Sequence, residues 1–204
     1  MNDFLFLIDN GHGINTPGKR SPDGKLRECI YTRDVARKVV STLLAKGFKA
    51  KLLVRETYDV SLKERVRRVN SFCSSLGKDN VVLVSIHLNA FKDGKEWQSP
   101  RGWSCYTTKG KTKSDSLAIM LYEHAIEKFK NHRIRVDISD GDNDLEENFF
   151  ILKNTNCPAV LTENFFMDNK QDADFLLSKE GFLSIVEVHV SALIDYFNSL
   201  KHSS

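Results

Sequence analysis

Apolar residues along this chain fall into two alternating patterns: short unbroken runs, and longer stretches with one apolar face at helical spacing. Residues 4–9 form the first run and read as a strand, and a Gly-, Pro-, Asn- and Ser-rich loop follows over 11–24. From 28 to 46, Val35, Val39 and Leu43, joined by Ala36, Val40 and Leu44, recur at i, i+4, the stripe of a helix packed on a sheet. Gly47 is a fitting stop signal, and 48–55 is the next strand. Ser61 with Glu64 three residues on reads as a capping box, behind which Leu62, Val66, Val69 and Cys73 line one helical face. Residues 81–86 are wholly apolar apart from Ser85, as expected of a strand in the middle of a sheet.

The second half repeats the alternation. Residues 103–107 predict a strand and 114–129 a helix with Leu117, Leu121 and Ala125 on one side. Residues 131–148 are the most polar and least regular part, 149–152 and 159–163 read as strands, and Leu183, Val186, Val190, Leu193 and Phe197 mark a closing helix. Strands alternating with helices predict one α/β layered sandwich around a largely parallel sheet. No internal repeat or linker divides residues 1–204, so one domain is expected.

Composition narrows the class. With 204 residues, 41% hydrophobic and 28% charged, the chain has the profile of an ordinary soluble globular protein, long enough for one substantial core. No apolar stretch approaches the roughly 18 residues of a membrane span, and no secretory signal is visible ahead of the first strand. The net charge of +3 is spread widely; Arg65, Arg67 and Arg68 form its densest group and read as a solvated helix face. Such mild basicity suits an anionic polymer such as bacterial wall, or nucleic acid, and selects neither. Cys29, Cys73, Cys105 and Cys157 lack any Cys-x-x-Cys spacing and read as reduced, buried packing residues, not as a thiolate metal site.

Three of the apolar runs end in an ionisable residue. His12 follows the run at 4–8 inside Gly11-His12-Gly13, His87 follows the run at 81–84, and Glu163 follows the run at 159–161. Strands that each deliver a polar side chain to the carboxyl rim of an open α/β sheet are how such folds build sites. Glu28 opens the first helix, where the helix dipole favours a carboxylate, one loop away from His12. Two imidazoles and a carboxylate suit catalytic zinc, which takes three protein ligands and leaves a fourth position for water. The glycines beside His12 allow a sharp turn and close approach. Glu163 is placed to move a proton. Singly, each has a duller role as a hydrogen-bonded histidine or a helix cap; joint placement at element ends favours the site.

The motifs, taken in order, resemble a known family. Leu7-Ile8-Asp9-Asn10-Gly11-His12-Gly13, Glu28, Ser61-Leu62-x-x-Arg65 with Asn70, Ser85-Ile86-His87-x-Asn89-Ala90, Phe149-x-Ile151-Leu152-Lys153-x-Thr155, Pro158-Ala159-Val160-Leu161-x-Glu163 and Phe166-x-x-Asn169 are similar to the zinc-dependent N-acetylmuramoyl-L-alanine amidases of type 3. The resemblance implies a three-layer sandwich with a mixed, mostly parallel sheet of about six strands and helices on both faces. It implies His12, Glu28 and His87 as zinc ligands and Glu163 as the catalytic carboxylate; Asn89 and Arg65 also match, either as substrate contacts or as braces for the loops, with Asn89 kept as the candidate substrate contact and bracing favoured for Arg65. It implies hydrolysis of the bond between N-acetylmuramic acid and L-alanine in peptidoglycan. With no export signal visible, a monomeric phage-type lysin acting on the wall after release is the preferred setting. Phe165 departs from the family, which usually has glycine two residues after the glutamate; a bulky side chain there is expected to reshape the cleft. No wall-binding module or inhibitory insert between His87 and Glu163 is evident.

Other readings are weaker. A zinc peptidase or deacetylase could use the same ligands, and a wall-binding module could keep the fold without catalysis. Asp140-Gly141-Asp142-Asn143-Asp144 is superficially like a calcium loop but has Leu145 and Ile151 where glycine and glutamate belong, so it reads as a solvated or substrate-facing loop. His124, His132, His189 and His202 read as helix-surface or tail residues. Trp97 and Trp103 are expected to be partly buried, with sugar stacking as the alternative. Ser85 stands too close to His87 along its strand to serve as a nucleophile. No phosphate loop or dinucleotide fingerprint is present.

Overall fold

A computed structural model describes residues 3–138, 141 and 143–202. Strand β1 (Leu5–Asn10) is followed by helix α1 (Glu28–Ala45), β2 (Lys49–Leu52), α2 (Leu62–Leu76), a 3₁₀ turn (Lys78–Asn80), β3 (Val81–Asn89), β4 (Ser104–Thr107), α3 (Asp115–Lys128), β5 (Leu145–Glu146), α4 (Phe150–Asn154), β6 (Ala159–Phe166), α5 (Lys170–Leu177) and α6 (Lys179–His202). The six strands form one sheet in the order β2-β1-β3-β6-β4-β5. All neighbours run parallel except β4 against β6. The expected three-layer α/β sandwich is therefore present, and β4 makes the sheet mixed.

Each face of the sheet has its own core. Phe6, Ile8, Val84, Ile86 and Val160 pack with Val35 and Val39 of α1, Leu121 of α3 and Leu193 of α6. Leu7, Leu83 and Leu161 on the other face pack with Val69 and Cys73 of α2 and Ile151 and Leu152 of α4. β1 and β3 are buried on both faces almost throughout, which is why they read as unbroken apolar runs.

Helix ends follow the sequence signals. Gly47 adopts φ +85°, its N–H bonds the Leu44 carbonyl at 3.0 Å, and the Phe48 N–H bonds that of Leu43 at 3.0 Å. This paired closure requires the left-handed residue that glycine supplies most easily. Ser61 Oγ accepts the Glu64 N–H at 3.3 Å, while the Glu64 carboxylate turns to Arg67 and Arg68.

Three expectations are corrected. Residues 149–152, expected as a strand, instead form the N-cap and first residues of α4, because a four-residue apolar run satisfies either period and here Ile151 and Leu152 fill the core under α2. Helix α5 was not expected; Asn169 starts it by accepting the N–H groups of Gln171 and Asp172. His189, expected at a helix surface, is fully buried between α6 and β6. Its Nδ1 lies 2.7 Å from the Ile185 carbonyl and its Nε2 2.9 Å from Thr162 Oγ1, so burial leaves neither nitrogen unpaired. His124 pairs with Asp195 at 2.8 Å and His132 lies half-buried against Phe175. The side chain of His202, with Asp140 and Asp142 of the polar loop, lies outside the described residues.

Burial depresses His189 from 6.5 to about 4. Between those values the unfolded chain takes up a proton that the folded chain refuses, so stability must fall as pH drops from 6.5 towards 4, by up to about 3 kcal/mol from this group. Urea unfolding at stepped pH should show this loss. His189→Gln, which cannot titrate, should be less stable at pH 7 but have a flatter acid limb.

Candidate active site

The carboxyl rim of the sheet collects the polar ends of β1, β3 and β6. The register places Asp9 beside Ser85 and His87 beside Glu163, so these four residues project from one face of three adjacent parallel strands. Beyond β1 the chain turns at His12, which itself takes φ 56°. Neither flanking glycine has positive φ; their role is close approach. A Cβ on Gly11 would lie 2.6 Å from His87 Nδ1 and 2.9 Å from Glu28 Oε1, and one on Gly13 would lie 2.0 Å from the Asp59 nitrogen.

Glu28 comes from the opposite helical layer. Its N–H is held by the Lys19 carbonyl at 3.0 Å, and as the first residue of α1 it aims over Gly11 at the strand ends. Its carboxylate is fully buried. Oε1 lies 3.1 Å from His87 Nδ1 and accepts the Leu88 N–H at 3.1 Å, while Oε2 lies 3.6 Å from His12 Nε2 and has no hydrogen bond. One ligand atom each from His12, Glu28 and His87 fits within 4.8 Å of the others. Burial drives His12 down to about 4, against the pull of Glu28. Burial also opposes charge on Glu28 and on His87, but their mutual contact wins, lowering the first and raising the second.

Glu163 is set differently. Burial, with Glu28 nearby, raises its pKa to about 7 although the His87 imidazole opposes this, and its Oε2 has no hydrogen bond. The residues face a cleft of about 390 Å³ whose walls include Lys19, Leu62, Phe149 and Ile151.

The description N-acetylmuramoyl-L-alanine amidase attaches to a family whose model matches residues 6–195. The chain belongs to that family. It is 30% identical over 202 residues to an endolysin of Bacillus phage SPP1, covering 98% of this chain and 68% of that protein. It is 31% identical over 200 residues to the N-acetylmuramoyl-L-alanine amidase CwlM of Bacillus licheniformis, covering 97% and 70%. The solved structure of an N-acetylmuramoyl-L-alanine amidase from Clostridium difficile 630 matches with a TM-score of 0.80 at 28% identity, covering 98% of this chain and 99% of that one.

In this amidase Arg65 is not a solvated residue. It is buried, and its guanidinium bonds Asp9 Oδ1 (2.7 Å), the carbonyls of Asn10 (2.6 Å) and Val60 (2.8 Å) and Asp59 Oδ1 (3.1 Å). It joins the end of β1 to the loop before α2, the bracing role expected of it. Arg67 and Arg68, by contrast, pair with Glu64 and Glu56 at the surface or half-buried. Asn89 folds its Oδ1 back onto the Ala90 N–H at 2.8 Å and is not among the cleft-lining residues.

Phe165 does not reshape the cleft. It occupies φ 67° in a bulge where Asn164 and Phe165 together oppose Leu88, and its ring is buried against Phe129, His132 and Phe175 on the other side of the sheet. A left-handed position explains why glycine suits the site, and the aromatic packing offsets the strain here. Trp103 is also fully buried, its Nε1 donating to Asn164 Oδ1 at 2.9 Å, whereas Trp97 is over a third exposed beneath the Lys170 ammonium. Asn164 in turn donates to the His87 carbonyl at 3.0 Å. Sequence reasoning missed Asp9, Ser85 and Asn164 as supports of the site. The available signal was polar residues set inside strands that are otherwise apolar.

Gly11→Ala should fold but place a methyl group where the three candidate ligands converge. Zinc affinity, measured by chelator competition, is expected to fall about tenfold or more, the scale seen when ligand placement is disturbed, with little change in the melting temperature.

Proposed function

We propose that this peptidoglycan amidase works with one zinc ion held by His12, Glu28 and His87, with Glu163 carrying the proton. The observation behind the reading is the convergence of three ligand atoms within 4.8 Å beside a carboxylate that has no hydrogen bond on one oxygen. The donor set fits zinc: two imidazoles and one carboxylate, with Glu28 Oε2 buried and lacking a hydrogen bond. Gly11 leaves open the space that a side chain would fill. Once bound, zinc would supply a Lewis acid for the scissile carbonyl and lower the pKa of water.

The protein's own groups supply the rest. Glu163, at the end of the strand beside His87 and with one oxygen lacking a hydrogen bond, is placed to accept a proton from the attacking water and to return it to the departing alanine nitrogen. Leu62, Phe149 and Ile151 give the cleft an apolar wall that limits water around the reacting groups. An unpaired, partly buried carboxylate with a raised pKa has no use in a pure wall-binding module, which disfavours that alternative. Residues 1–204 are read as one catalytic domain, acting as a monomer in a lytic setting like that of the phage endolysin it resembles.

Glu163→Gln should keep zinc and fold while losing at least about a hundredfold in turnover, the usual scale for acid–base catalysis. Near wild-type turnover would refute its role. On purified peptidoglycan the wild-type protein should free peptides with new L-alanine amino termini and create no new reducing ends. Other amino termini would identify a peptidase, and released acetate a deacetylase.

A further inference from the structure

One hydrogen-bonded chain of buried side chains ends on His87. Arg65 Nη1 donates to Asp9 Oδ1 at 2.7 Å, Ser85 Oγ lies 2.7 Å from Asp9 Oδ2, and His87 Nε2 lies 3.1 Å from Ser85 Oγ. Asp9, Ser85 and Arg65 are at most 2% exposed, so water does not compete for these bonds.

The direction of each bond follows from what each group can give. A carboxylate accepts only, so the Ser85 hydroxyl must spend its single proton on Asp9. Its oxygen then faces His87 as an acceptor, and Nε2 must carry the ring hydrogen. An imidazole that gives up one of its two hydrogens while this bond lasts gives it up from Nδ1. Nδ1 faces Glu28, 3.1 Å from Oε1, and because a carboxylate accepts only, Nδ1 donates there until a metal ion takes the place of its hydrogen.

We propose that Arg65, Asp9 and Ser85 are positioning residues that hold a hydrogen on His87 Nε2, so that Nδ1 is the nitrogen freed for the metal. The inference rests on His87 being a ligand, as set out above. Arg65 holds the Asp9 carboxylate in place, Asp9 orients the Ser85 hydroxyl, and Ser85 orients the ring. The register that sets Asp9 beside Ser85 makes the chain of bonds a property of the β1–β3 pairing.

The polarity of the chain gives it a sharp test on the full-length protein. Ser85→Ala removes the acceptor but imposes no tautomer, and zinc affinity should fall about 10- to 100-fold. Ser85→Thr keeps the hydroxyl and should stay near wild type. Asp9→Asn keeps the shape but reverses the bonds: with its oxygen held by Arg65, the amide donates to Ser85, Ser85 donates to Nε2, and the hydrogen moves to Nδ1. It should lose more affinity than Ser85→Ala. Ring ¹⁵N NMR of the zinc-loaded wild-type protein should show His87 carrying its hydrogen on Nε2 and the metal on Nδ1. Zinc bound through Nε2 overturns the proposal, as do Ser85→Ala and Ser85→Thr binding zinc equally well. The second comparison stands even if Asp9→Asn fails to fold. Failure of wild-type protein to bind zinc would instead strike the metal reading on which this inference rests.

Discussion

The parallel pairing of β1, β3 and β6 is the constraint on which the site depends. Because side chains alternate with a period of two, one register places Asp9 beside Ser85 and His87 beside Glu163 on a single face. A slip of one residue would send His87 into the core under α1 and α6 and bring Ile86 to the rim. The apolar residues of the same strands prevent that slip. Leu83 and Leu161 face α2 and α4, while Val84 and Val160 face the other helical layer, so both cores must fail before the site residues move.

Burial of charge is the cost of this arrangement. Glu28 and Arg65 are both removed from water, and a buried ion is tolerated only when its partners replace the lost hydration. Arg65 meets this fully, with two carboxylates and two carbonyls around its guanidinium. Glu28 meets it on one oxygen only. The contrast separates the two: Arg65 is a finished structural joint, whereas Glu28 keeps one buried oxygen without a hydrogen bond, which is what the proposed metal role requires of it.

Much of the layout was legible because strand ends are marked by abrupt changes in polarity. His12, His87 and Glu163 each follow an apolar run, and Glu28 sits where a helical stripe begins, so all four could be placed before their distances were known. Short-period ambiguity hid α4, since four apolar residues fit a strand or one turn of helix equally well. The supports were harder to read. Asp9 and Ser85 are distant in sequence, and only the β1–β3 register reveals that they touch. Arg65 looked like part of a charged helix face because the carboxylate and carbonyls it serves come from β1 and a loop. Phe165 was visible only as a departure from glycine; its left-handed backbone, and hence its ring's burial on the far side of the sheet, depends on a bulge that propensity does not encode.

That bulge also bears on how rigidly His87 is held. Asn164, one of its two residues, donates to the His87 carbonyl and accepts from Trp103, while its amide also reaches Thr162 Oγ1, the partner of His189. The backbone of His87 is thus tied through β6 to the closing helix, and its ring is tied through Ser85 and Asp9 to α2. Glu163 lies between these two sets of bonds and shares in neither on its Oε2. A metal ligand works best when it cannot move, and a proton carrier when its carboxylate is not already saturated with donors. Under the proposed roles the fold meets both demands on adjacent strands, by placing donors around one residue and withholding them from its neighbour.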